Sequence, residues 1–559
     1  MPRGRWLLSI TLCLAPAHSA AQAPTLSASP SAARLAAELP RMVEQNGRHA
    51  LLVDGEPFLL LSAQVNNSSN YPAALEEVWP AIEEIGANTI QVPIAWEQVE
   101  PAEGELDFSF VDTLLEEARE RDLRVILLWF GAFKNTAPWY APAWVKLDND
   151  RFPRIVKRDG ELSYALTPLS RTTLRADKRA FAALMRHLAA SDPAHTVLLV
   201  QVENETGTYG TVRDYSPAAE ALFEQSPPAA LLERLGVNPE AGRGSWSGAF
   251  GEDADEFFHA WSIATYVGEL AEAGKAVLNL PMYTNAALRN PIDDQDPSTY
   301  ASGGPTHNVL DIWKVAAPSL DFLAPDLYMR GSREVGAVLG HYARRDNALF
   351  VAEVGNDADY ARYFFETLGR GALGFSPFGI DYTGYSNYPL GAKAVTPDTL
   401  APFASNYRLL RPFAGEWARL ALENRVWGAA RPDDSSRRFL ELGDWTAEVA
   451  FDQWQFGWSD AEWLPQEKRE PAQNAGALIA ELEPDIYLVT GRNARVSFRL
   501  SEARPESGKP ERMILAAVDE VVFRDGAWRV VRRWNGDQTD WGLNFTERNQ
   551  VLRVKLATY

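Results

Sequence analysis

The chain alternates two hydrophobic rhythms before settling into a third texture. Short, nearly continuous apolar runs recur between about residues 58 and 378, at Phe58–Ala63, Thr89–Pro93, Val125–Phe130, Val197–Val202, Leu280–Asn285, Phe322–Asp326, Leu349–Glu353 and Ala372–Phe378. Runs this short and this rich in β-branched and aliphatic residues predict buried parallel strands. Between them lie amphipathic stretches. The clearest has Leu75, Val78, Ile82 and Ile85 at helical spacing, Glu76, Glu77, Glu83 and Glu84 on the other face, and Gly86 as a stop. Eight strands alternating with helices predict an α/β fold, a (β/α)8 TIM barrel. Before it, Ala50–Val53 and Phe58–Ala63 flank Asp54-Gly55, a hairpin signal.

From near Glu423 the texture changes to short alternating segments separated by turn residues, from Phe439–Leu442 to Gln550–Leu556. That pattern predicts a smaller C-terminal antiparallel β domain, a sandwich. Trp445, Trp454, Trp458 and Trp541 in it are core or interface residues, with a sugar platform as the alternative. At the other end, Arg3 and Arg5 precede the apolar Trp6–Ala17 and the small residues Ser19-Ala20-Ala21. This reads as a secretory signal, and implies export to the periplasm or the medium. The expected organisation is therefore 1–21 signal, 22–46 leader or linker, 47–422 barrel and 423–559 β domain.

Composition narrows the chemistry. The only cysteine, Cys13, lies in the expected signal, and the seven histidines show no ligand spacing, so neither metal nor cofactor is expected. A formal charge of −21 disfavours nucleic acid and anionic lipid, no later run is long and apolar enough to span a bilayer, and oligomeric state is left open. A neutral substrate fits best. The apolar Val197–Val200 leads into Gln201-Val202-Glu203-Asn204-Glu205-Thr206-Gly207, and a second strand ends on Glu353. Two carboxyls on the ends of separate barrel strands are what acetal cleavage needs, one to protonate the leaving oxygen and one to meet the anomeric carbon. Glu205 suits the donor, with an anionic Glu353 nearby helping it keep its proton. A straight strand would send Asn204 and Glu205 to opposite faces, so a bend is expected there. Long connections, from Gly207 to Asp253 and from Ala286 to Pro318, are expected over the barrel mouth.

Gln201 to Gly207 resembles the Gln-(Ile/Val)-Glu-Asn-Glu-Tyr-Gly signature of glycoside hydrolase family 35, retaining β-galactosidases of the clan of (β/α)8 glycosidases. Trp96, Glu100, Pro101, Gly104, Asp107 and Phe108 are similar to that family's Trp-x-x-x-Glu-Pro-x-x-Gly-x-x-Asp-Phe segment. The likeness spans roughly residues 47–378. It implies Glu205 as acid/base, Glu353 as nucleophile and Asn204 at the sugar 2-hydroxyl. The implied reaction is removal of terminal β-D-galactosyl residues from oligosaccharides or plant polysaccharide side chains. Alternatives are a related retaining endo-glucanase or mannanase, and a catalytically dead sugar-binding barrel. Departures are Thr206 for Tyr, Pro93 for a Tyr, and Trp129-Phe130-Gly131-Ala132-Phe133-Lys134-Asn135 in place of Ala-Glu-Trp. Trp129, Lys134 and Asn135 are thus positional candidates only. Trp96 is a candidate sugar platform, Tyr328 either packs or contacts the nucleophile, and Glu203 supports by hydrogen bonding. Asp326 and Asp381 rival Glu353.

Overall fold

The computed structural model describes residues 38–238, 244–452, 472–504 and 511–559. The expected signal, Trp454 and Trp458 lie outside them. All eight predicted strands form: β1 (Leu60–Gln64), β2 (Thr89–Ala95), β3 (Arg124–Lys134), β4 (Val197–Asn204), β5 (Met282–Ala287), β6 (Phe322–Leu327), β7 (Val351–Val354) and β8 (Gly374–Pro377). They pair in parallel and close as a barrel in the order β5-β6-β7-β8-β1-β2-β3-β4. The helix after β1, α1 (Pro72–Ile85), buries Leu75, Val78, Ile82 and Ile85 as its spacing requires. It ends where Gly86 turns left-handed, φ 72°, and its amide donates to Glu83 and Ile82 carbonyls.

Strand parity sorts the side chains. On β3, Ile126, Leu128 and Phe130 join Leu60, Leu199, Tyr283, Phe322 and Phe350 in the barrel lumen. Val125, Leu127 and Trp129 face the surrounding helices instead, as do Ile90, Val92 and Ile94 along β2 and Trp96 just beyond its end. Below the lumen, Arg41–Gln45, Arg48–Val53 and Glu56–Phe58 form a three-stranded antiparallel sheet whose Leu51 and Val53 plug the barrel floor. The first of these strands falls in the stretch expected to be linker. Its turn is Asn46-Gly47, φ 54° and 80°, a two-residue hairpin loop.

The C-terminal domain is a two-sheet sandwich. Its strands are β9 (Val426–Ala430), β10 (Arg438–Glu441), β11 (Trp445–Phe451), β12 (Gly476–Glu483), β13 (Ile486–Arg492), β14 (Ala494–Leu500), β15 (Met513–Arg524), β16 (Ala527–Arg533), β17 (Leu543–Phe545) and β18 (Val551–Thr558). One sheet runs β9-β12-β13-β18-β15-β16 and the other β10-β11-β14-β17. Their facing side chains, among them Trp445, Val449, Ile479, Val496 and Val554, make a core of their own. The larger sheet also turns Leu478, Ala480, Leu488, Val521 and Val551 into the hydrophobic shell of the barrel. At that seam α2 (Tyr363–Gly369) meets β9 backbone to backbone. A Cβ on Gly428 would stand 2.2 Å from the Phe365 carbonyl oxygen and 2.9 Å from Gly369 Cα.

Neither neighbour at Gly428 is a side chain that can rotate away, so Gly428→Ala must part the two domains slightly. The expected loss is roughly 1–3 kcal/mol, read as a lower melting temperature. An unchanged melting temperature would show that the seam tolerates a methyl group.

Candidate active site

The upper end of the lumen is polar. Gln64, Asn204, Asn285, Asp326 and Glu353 are all buried there, on β1, β4, β5, β6 and β7. Glu353 and Asp326 are paired neighbours across β6 and β7. A register slip between Val351 and Val354 lets Glu353 turn inward even though Phe350 and Ala352 already face the lumen. At the end of β4 the chain departs from strand geometry twice, with Glu203 at φ 60° and Glu205 at φ 45°. These left-handed residues supply the expected bend. They send Glu203 outward while Asn204 and Glu205 both reach the lumen side. Such backbone is costly for residues with a Cβ and persists only where surroundings enforce it.

The enforcement comes from behind the barrel wall. The Glu203 carboxylate accepts amides of Gly131, Ala132 and Phe133 at 3.1, 3.1 and 2.9 Å. Beside it Asp177, on the helix Arg171–Ser191, accepts the Trp129 indole N–H at 2.9 Å, the Tyr266 hydroxyl at 2.9 Å and the Ala132 amide at 3.1 Å. Burial, and then the Asp177 charge, push the Glu203 carboxyl well above the ordinary carboxylate range. Burial also raises Asp177. One proton shared by the pair satisfies both. Downstream, Gly207 (φ 130°) lies where a Cβ would be 2.5 Å from the Ala301 carbonyl oxygen, so the chain leaves the site along a path open only to glycine.

The two facing carboxyls have opposite surroundings. Glu353 accepts Gln64 Nε2 at 2.8 Å and Tyr328 OH at 2.7 Å, with Asn204 Nδ2 and Asn285 Nδ2 at 3.4 and 3.5 Å. Four N–H and O–H donors thus converge on this one carboxyl group. Glu205 has Lys134 Nζ 4.0 Å from Oε2, and its backbone amide binds Asn285 Oδ1 at 2.9 Å. Its carboxyl is pushed up to about 7, first by burial, then by the Glu353 charge, while Lys134 pulls it down. Burial thus outranks the neighbouring charge that the sequence pointed to. One atom from each of Glu205, Asp326 and Glu353 lies within 4.8 Å of the others.

This three-carboxyl grouping is one that spacing in the sequence did not reveal. Its donor set fits protons better than a cation: both Glu353 oxygens already accept N–H or O–H donors, and the Lys134 ammonium stands beside Glu205. Asp326 accepts Asn285 Nδ2 at 2.7 Å and has no partner at Oδ1. Burial, then Glu353, raise it well above the carboxylate range, so it stands neutral beside Glu353, a poor nucleophile. Asp381 is spent on structure: it accepts the Asn66 amide and side chain and the Ser69 hydroxyl, each at 2.8 Å, and the Thr383 hydroxyl at 2.6 Å.

Two expected contacts are corrected. Trp96 follows the outward phase of β2, is fully buried edge-on against Trp144, and donates its indole N–H to Glu100 at 3.1 Å. Trp129 is likewise outward, buried against Phe181 and tied to Asp177. Neither faces the lumen: side-chain parity along β3 directs Trp129 into the helical shell, and Trp96 opens the short helix Trp96–Val99 that turns away after β2. Asn135 is exposed on the loop after β3, and its side-chain oxygen accepts from Lys134. Lys134 also donates to Asn204 Oδ1 at 2.7 Å, and Tyr328 touches Glu353. Asp177, Gln64 and Asn285 were missed. Asp177 had a signal, since it sits among Leu174, Phe181, Leu184 and Leu188 on the buried face of its helix.

A protein-family model of glycoside hydrolase family 42, described as β-galactosidase, matches residues 70–337. A second, a domain of unknown function (DUF5597), matches residues 403–546. A β-galactosidase of Xanthomonas manihotis is 30% identical over 176 residues, 30% of this chain and 27% of that protein, so the alignment spans about a quarter of the relative. Among solved structures, a β-galactosidase from the psychrophilic Marinomonas ef1 overlaps 65% of this chain and 61% of its own at 14% identity and TM-score 0.47. One from Rahnella sp. R3 overlaps 66% and 61% at 17% identity and TM-score 0.46. The family model and the Xanthomonas relative are both described as β-galactosidase. The matching model is that of family 42, whereas the sequence motifs pointed to family 35.

Because Glu203 and Asp177 hold a proton that the unfolded chain would release, the pair's contribution to folding stability is fully present in acid and is lost as pH rises through their elevated values. Glu203→Gln fixes the neutral form and still donates to Asp177. Its melting temperature should therefore fall less than that of the wild type between about pH 5 and pH 8. Glu203→Ala strands three amides and should cost about 3 kcal/mol or more. The same pH dependence of the melting temperature in Glu203→Gln and the wild type would rule out the shared proton.

Proposed function

We propose that this protein is an exported, retaining β-galactosidase that releases terminal β-D-galactosyl residues by double displacement. The observation that carries the reading is the opposed environment of two carboxyls with oxygens within 4.8 Å: Glu353 ringed by donors, Glu205 near neutrality at about 7. A gap of that size leaves no room for a water between carboxylate and sugar, so Glu353 attacks the anomeric carbon itself. Glu205 gives its proton to the leaving oxygen. In the second half-reaction it takes a proton from the water that displaces Glu353, which restores both groups. Asn204, its carbonyl oxygen held by Lys134, turns its amide N–H toward the nucleophile side, where a sugar 2-hydroxyl would lie. Galactose as the sugar is supported by the family 42 match and the Xanthomonas relative. Export rests on Arg3, Arg5 and the apolar segment after them.

Four measurements test it. Proton NMR of the first products should show β-galactose, the α anomer growing in only by mutarotation; α-galactose first would exclude Glu353 as nucleophile. Glu353→Ala should abolish turnover. Glu205→Ala should slow substrates with poor leaving groups by about 10²–10⁴-fold and spare activated aryl galactosides. The acid form of Glu205 is the active one, so turnover of alkyl or sugar-linked galactosides should decline as pH rises through about 7. In Glu205→Gln that decline should vanish.

A further inference from the structure

Among the described residues up to Leu422, six aromatic side chains stand exposed: Tyr71, Trp139, Tyr164, Tyr209, Tyr385 and Tyr388, each between 38 and 62% accessible. Every one lies on a segment that follows the C-terminal end of a barrel strand. Tyr71 follows β1, Trp139 and Tyr164 follow β3, Tyr209 follows β4, and Tyr385 and Tyr388 follow β8. None lies on an outer helix, at the barrel floor, or on the loops after β5, β6 and β7. Since β8, β1, β2, β3 and β4 are consecutive round the barrel, the six form an arc along one half of the mouth.

The loops are built to hold that arc. Tyr164 bonds the Thr136 hydroxyl at 2.5 Å, and its oxygen accepts the Tyr209 amide at 3.2 Å. Tyr140 bonds Ser68 at 3.0 Å and packs edge-on over Phe130, which links the loops after β1 and β3. Tyr71 and Tyr385 are close enough to Tyr140 to bear on its ionisation, and Tyr209 feels the Glu205 charge in the same way. Random surface aromatics would be scattered over the molecule. Rings gathered on one rim present flat apolar faces with polar edges, the surface that a sugar ring's C–H face stacks on.

We propose that this arc is a binding site for the leaving-group side of an extended carbohydrate, taking several sugar rings beyond the one cleaved. The inference rests on the reading of Glu205 as proton donor. The leaving oxygen must lie against Glu205, so the rest of the substrate must leave the pocket past the end of β4, where the arc begins. With a chain charge of −21, the stacked rings are those of a neutral oligosaccharide or polysaccharide.

The test compares 4-nitrophenyl β-D-galactoside with a set of β-1,2-, β-1,3- and β-1,4-galactosylated oligosaccharides of four or more sugars, using the full chain, Trp139→Ala and Tyr385→Ala. Both side chains are exposed, and unchanged melting temperatures will confirm folding. The wild type should have a lower KM for at least one extended substrate than for its galactosyl disaccharide. Each variant should raise that KM about tenfold, more than it raises KM for the aryl galactoside, with kcat little changed. Equal effects on both substrate types, or cleavage of the aryl galactoside with none of the extended set preferred, would overturn the site and leave the catalytic reading intact. No turnover of any β-galactoside would overturn the catalytic reading, and this site with it.

Discussion

The geometry of this protein's site hangs on a buried proton behind the barrel wall. Glu203, Asn204 and Glu205 are consecutive, yet the first must face outward and the next two inward, which a regular strand forbids. The solution is two left-handed residues, at φ 60° and 45°, and a carboxyl pair that anchors them from outside. Glu203 gathers three amides of the loop after β3, and Asp177 ties that loop to the helix Arg171–Ser191 through Ala132, Trp129 and Tyr266. Two bare charges could not be buried side by side. The shared proton makes the anchor neutral enough to bury, and the anchor makes the strained backbone affordable.

The lumen side uses the same electrostatic rules to a different end. Behind the wall a proton is locked in; in front, one is left poised. Glu353 collects donors from three amides and a phenol, while the Glu205 carboxyl accepts no side-chain hydrogen bond among the described residues and has the Lys134 ammonium 4.0 Å away. Asn285 joins the halves: its oxygen fixes the Glu205 backbone and its nitrogen serves Asp326 and Glu353. Neutral Asp326 can therefore sit beside Glu353 without adding a second buried charge. The asymmetry belongs to the amides around the carboxyls, not to the carboxyls themselves.

How much of this could be read from the chain follows from which physical rule governed each part. Eight buried strands declare themselves by composition, and the strand-ending Glu205 and Glu353 by position. Parity was legible too: Trp129 alternates with lumen-facing Phe130, and Trp96 continues the outward series Ile90, Val92 and Ile94. Both tryptophans were nonetheless expected at the sugar, because family motifs carry no side-chain direction. The Asn46-Gly47 turn is a strong hairpin signal, cut by the boundary at residue 46 of the stretch taken as linker. Strand β9, Val426–Ala430, escaped because its Gly428 and small neighbours are selected for close approach to α2, not for strand propensity. Asn285 and Gln64 had no local signal at all. Their roles exist only once β1, β5 and β7 are brought together by barrel closure.

Lys134 shows how a departure from a family pattern can be absorbed rather than merely tolerated. It is almost fully buried in a chain of charge −21, at the position where the motif-bearing relatives were expected to carry a different loop. Its ammonium lies over the Phe130 ring, 5.0 Å from the centroid, and donates to Asn204 Oδ1 and to Asn135. An amide whose oxygen is claimed by a cation cannot flip, so Asn204 must present its N–H toward Glu353. The same charge opposes the two influences that raise Glu205, burial and Glu353. Under the proposed double displacement this opposition matters twice, because Glu205 must hold a proton for the first half-reaction and accept one in the second. At 4.0 Å Lys134 lies outside hydrogen-bond reach but within Coulomb reach. The substituted loop thus contributes both to the orientation of the substrate-facing amide and to the balance of the acid.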